Sequence, residues 1–65
     1  MNAQEWYLFN GDLIINSDKH PKLFRLAYED DFGLEQRLIS LKNETGIQNL
    51  DGLAEMLEEE LKYER

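Results

Sequence analysis

Two short apolar runs, Trp6-Tyr7-Leu8-Phe9 and Leu13-Ile14-Ile15, flank Asn10-Gly11-Asp12 and make the sharpest local pattern in the chain. Asn-Gly readily takes two successive positive φ angles. Aromatic and β-branched runs on either side of it therefore predict a β-hairpin closed by a type I′ turn. A two-residue loop sets the register, with Phe9 opposite Asp12, Leu8 opposite Leu13, Tyr7 opposite Ile14 and Trp6 opposite Ile15. Opposed residues share a face, so Trp6, Leu8, Leu13 and Ile15 fall on one side and Tyr7, Phe9 and Ile14 on the other.

Asn16 to Pro21 is polar and reads as a loop. The next stretch, Lys22 to Glu29, admits two periods, because Pro21 suits either the first position of a helix or the start of a strand. As a helix its apolar residues would spread round most of the circumference. As a strand it alternates, with Phe24, Leu26 and Tyr28 on one side and Leu23, Arg25 and Ala27 on the other. An isolated hairpin is marginal in water, so the reading preferred on sequence is a third antiparallel strand over 22–29, completing a meander.

From Glu29 the period lengthens. Asp30 and Asp31 place carboxylates where a helix N-terminus favours them, and Leu34, Leu38 and Leu41 recur as a narrow apolar stripe. Gly46 suits a left-handed C-cap, with Ile47 folding back on the last turn. A second helix is expected from Asn49 as N-cap, with Asp51 in its first turn, running towards Tyr63. Leu50, Leu53, Ala54, Leu57 and Leu61 then form its apolar face, with Glu55, Glu58, Glu59 and Lys62 assigned to the opposite side and a Glu58 to Lys62 pair along it. The predicted fold is α+β: an N-terminal antiparallel β-meander of three strands, the first two a tight Asn-Gly hairpin, followed by two amphipathic helices packed on one sheet face, in a single domain over 1–65. Trp6, Leu8, Leu13, Ile15, Phe24, Leu26 and Tyr28 would meet the leucine stripes in the core.

Composition narrows the function classes more than the fold. A chain of 65 residues buries only about 60% of the surface its unfolded form exposes, which excludes a cleft between two lobes. The absence of cysteine removes disulfides and thiolate metal sites, so stability has to come from apolar packing. The net charge of −7 disfavours a nucleic-acid backbone or an anionic membrane as partner, since both call for clustered Lys and Arg. All of the excess lies in residues 27–65, which hold 11 acids and 4 bases, whereas residues 1–26 hold 3 of each. No apolar run approaches a membrane span and no leader pattern opens the sequence, so a cytoplasmic location is expected.

The outer sheet face of that fold would present Tyr7, Phe9, Ile14, Leu23 and Ala27, where an antiparallel sheet normally turns polar residues to water. Large exposed apolar patches mark interaction sites, so Tyr7, Phe9, Ile14 and Leu23, with Ile39 off the leucine stripe, are the candidate partner-binding residues. The alternative is that they belong to the core. The acidic groups, Glu29 to Asp31 and Glu55 with Glu58 to Glu60, read as solvated helix positions. A sharper alternative gives Glu55, Glu58 and Glu59 the role of phosphate mimics on a DNA-mimic-like decoy. His20 reads as a solvated loop histidine, and no spacing suggests a metal site, a nucleophile with its base, or a phosphate loop. The expectation is a non-enzymatic interaction module without cofactor, metal or small-molecule substrate, forming a homodimer or docking another protein; its size and acidity would suit a phage or mobile-element product.

Overall fold

The computed structural model describes residues 4–63. Their order is strand β1 (Glu5–Leu8), strand β2 (Leu13–Asn16), helix α1 (Pro21–Thr45) and helix α2 (Leu50–Lys62). The chain is thus α+β, with a two-stranded antiparallel sheet and two helices. The hairpin register is the expected one, with Trp6 opposite Ile15, Tyr7 opposite Ile14 and Leu8 opposite Leu13.

The Asn-Gly turn forms with φ of 56° at Asn10 and 92° at Gly11, and the Asp12 N–H donates to the Phe9 carbonyl at 3.1 Å. Phe9 itself departs from the expected strand. Its φ is +54°, so β1 ends at Leu8 and Phe9 leaves the outer sheet face. A left-handed phenylalanine costs about 1–2 kcal/mol. Two contacts hold it there: its N–H donates to Glu35 Oε2 of α1 at 2.8 Å, and its half-buried ring packs against the core.

No third strand forms among the described residues; residues 22–29 are the first part of α1. Pro21 occupies the opening turn, and Leu23 and Ala27, four residues apart, are both buried. The crowding that argued against a helix is resolved by graded burial. Phe24 and Leu26 are half-buried at the margin of the core, and Tyr28 stands out in solvent instead of joining it.

The helix is interrupted at Asp30, whose φ of −158° and ψ of 82° are extended. There the Asp30 carboxylate accepts the Gly33 N–H at 2.9 Å, capping the second part of α1 as an aspartate N-cap does. The acidic helix start read from the sequence is therefore present, with another helical segment in front of it. Leu34 and Leu38 continue the buried face, and Gly46 closes α1 with φ 77° and its N–H on the Lys42 carbonyl. Asn49 caps α2 by accepting the Asp51 N–H at 2.9 Å.

The core joins Leu8, Leu13 and Ile15 of the hairpin to Leu23, Ala27, Leu34 and Leu38 of α1 and Leu53, Ala54 and Leu57 of α2. Two glycines inside the helices should respond oppositely to alanine. At Gly52 an added Cβ meets only ordinary contacts, the nearest being Ile47 Cγ2 at 3.7 Å. Gly52→Ala should stabilise by about 0.5–1 kcal/mol through helix propensity. At Gly33 the same Cβ runs into the capping carboxylate of Asp30. Gly33→Ala should therefore destabilise, and urea denaturation of both variants would show midpoints moving in opposite directions. Equal shifts would count against the Asp30 cap.

Candidate functional site

The candidate partner-binding residues do not form one surface. Tyr7 and Ile14 are directly opposed on the outer face of the hairpin and are 59% and 44% exposed. Phe9 is half-buried beside Leu38, Ile39 and Leu50, where it borders a shallow groove. Ile39 is exposed on α1 at the same groove, away from the Tyr7/Ile14 pair. Leu23 is fully buried. Its assignment to an outer sheet face followed from reading 22–29 as a strand; on a helix it turns inward with Ala27.

The acidic triad also divides. Glu55 and Glu59 are exposed, but Glu58 is only 3% exposed. Its Oε1 accepts the Leu23 N–H at 3.0 Å and its Oε2 the Lys22 N–H at 3.4 Å. The first turn of a helix leaves N–H groups without intrahelical partners, and a carboxylate there also meets the positive end of the helix dipole. His20 precedes α1 and contributes no side-chain cap, and proline has no N–H. The His20 N–H donates to the Asn16 carbonyl at 2.8 Å, so Glu58 supplies the acceptor for the remaining two amides. The expected Glu58–Lys62 pair is replaced by Glu59–Lys62 at 3.7 Å, an exposed contact of the kind worth little.

A sequence signal for the inward turn exists. At about 100° per residue Glu58 lies only about 40° from Ala54, so it sits at the margin of the apolar stripe and not opposite it.

His20 is half-buried rather than solvated, and its Nδ1 is buried without a hydrogen-bond partner. Lys19, His20, Glu55, Glu59 and Lys62 border one shallow groove of mixed charge. Among the described residues no group of three His, Asp or Glu side chains is placed to hold a metal ion, and no helix is long and apolar enough to cross a membrane.

An aromatic cluster joins the hairpin to α1. The Trp6 ring meets Phe24 edge-on, with centroids 6.2 Å apart, and Tyr28 at 5.7 Å and 66°. Tyr28 is nevertheless 71% exposed, and Phe32, beyond the break in α1, is 66% exposed. Phe32 could have been singled out from the sequence, since it lies about 160° from Leu34 on a helical wheel and so points away from the leucine stripe. Comparison with protein-family models, with curated proteins and with solved structures finds no match.

Proposed function

We propose that this chain is a small, acidic, non-enzymatic protein-interaction module that self-associates or docks a partner protein through the outer face of its hairpin. The observation that carries the proposal is the Tyr7/Ile14 pair. The two side chains face each other across the strands and remain exposed, while the core closes on the other side through Leu8, Leu13 and Ile15. A single exposed apolar residue is ordinary, but an aromatic and a β-branched residue paired on an antiparallel sheet form a ready contact patch. The decoy reading has less support, because Glu58, one of its three carboxylates, is buried against the start of α1.

Sedimentation equilibrium at micromolar concentration, with Tyr7→Glu and Ile14→Lys as variants, tests the proposal. Both positions are exposed, so unfolding free energy should change by no more than about 0.5 kcal/mol. A dimer mass that falls to monomer in the variants supports self-association. A monomer that recovers a partner from its native host, and fails to do so in both variants, supports docking. Unchanged mass and unchanged recovery in the variants would count against this face.

A further inference from the structure

We propose that the break in α1 carries a separate docking surface, in which Tyr28 and Phe32, with the carboxylates of Glu29 and Asp31, receive an arginine-bearing apolar segment of a partner protein. The surface includes neither Tyr7 nor Ile14, so the variants that test it are independent of those above. Tyr28 and Phe32 flank the interruption at Asp30, and both rings are largely in water. Asp30 is committed to capping Gly33. The neighbouring Glu29 and Asp31 are exposed. The Tyr28 ring is backed by the edge of Trp6, which holds it as a platform and reduces the ordering cost of a partner stacking on it.

Charge identifies the occupant. From Arg25 to Arg37 the sequence sets four acids, Glu29, Asp30, Asp31 and Glu35, against the two bounding arginines, a net charge of −2. This stretch repels a nucleic-acid backbone, an anionic bilayer and a second copy of the same stretch, and attracts a cation. Guanidinium fits the combination best: it stacks on aromatic faces, accepts close approach to apolar surface and pairs bidentately with carboxylates. The two rings supply the apolar part of the contact, which charge alone would not require.

The full chain would be titrated by calorimetry with a synthetic peptide of alternating Arg and Leu, with Arg/Ser and Glu/Leu peptides as controls. Emission of Trp6, the single tryptophan, reports binding at Tyr28 in the native chain. The expected result is saturable binding of the Arg/Leu peptide with a change in Trp6 emission, and weakening by about tenfold in Tyr28→Ser and in Phe32→Ser, a loss of about 1.4 kcal/mol. Glu29→Gln combined with Asp31→Asn should flatten the salt dependence, whereas Glu55→Gln combined with Glu59→Gln should leave the affinity unchanged. Four outcomes would overturn the proposal. These are equal affinity in the aromatic variants, equally tight binding of the Arg/Ser peptide, an equal loss in the Glu55/Glu59 variant, and self-association of the native chain that Tyr28→Ser abolishes. Loss of the far-ultraviolet circular dichroism signal in either serine variant would assign the rings to the fold and overturn it as well; the Glu29/Asp31 variant gives an arm that leaves the rings intact.

Discussion

Leu23→Ala is expected to lower the unfolding free energy by about 3 kcal/mol. Leu23 is fully buried in the first part of α1, in the cluster that joins the hairpin, α1 and α2. Deleting a buried leucine side chain removes its transfer free energy and leaves a cavity, which together cost about 2–5 kcal/mol. A domain of this size has a total stability of only about 3–10 kcal/mol, so the variant should lose a large fraction of it. Urea denaturation followed by circular dichroism would show the midpoint fall with the slope preserved. Ile39→Ala, at an exposed position on the same helix, is the internal control and should cost a small fraction of that. If Leu23→Ala behaves like Ile39→Ala, residue 23 faces solvent and the helical assignment of 22–29 fails.

The second large effect is expected at Glu58. In a chain of net charge −7, removing an acidic side chain from the surface should be neutral or slightly stabilising, because it relieves repulsion. Glu58→Ala should do the opposite and cost about 2 kcal/mol. Its carboxylate accepts the Leu23 amide at 3.0 Å and the Lys22 amide at 3.4 Å, and hydrogen bonds to a charged group are worth about 1.5–3 kcal/mol, more than neutral ones. Glu58→Gln keeps one carbonyl acceptor and should lose less. Hydrogen exchange at the Lys22 and Leu23 amides gives a local reading: both should exchange faster in Glu58→Ala and stay protected in Glu55→Ala. Equal stability of these two alanine variants would mean that the capping contact contributes nothing.

What the sequence made legible follows the range of the interaction involved. The Asn-Gly turn, the strand register, the Gly46 C-cap and the Asn49 N-cap are set by residues within a few positions of one another, and each was readable. Residues 22–29 were not, because what selects helix there comes from distant parts of the chain. Leu23 and Ala27 bury into a cluster completed by the hairpin and by α2, and the helix start is capped from residue 58. Phe9 fails for the same reason, being drawn out of its strand by Glu35, which is 26 residues away. Of the candidate surface residues, Tyr7 and Ile14 do lie exposed on the outer hairpin face, because strand alternation is a local rule. Leu23 turns inward with the helix that stands in place of the expected third strand, and Glu58 turns inward because its position borders the apolar stripe of α2.

The Glu58 contact has a consequence for the order in which the molecule can assemble. It joins positions 35 and 36 residues apart, so the opening turn of α1 is completed by a group that arrives only when α2 has docked. Closing so long a loop is entropically unfavourable until many contacts form together. The opening turn of α1 therefore lacks its cap until α2 has docked, and the hairpin, whose Trp6 packs on Phe24 and Tyr28, lacks that cover until the first part of α1 has formed. The expected result is a single cooperative transition, in which circular dichroism and Trp6 emission report the same urea midpoint, and separate midpoints would show that the hairpin holds without the helices.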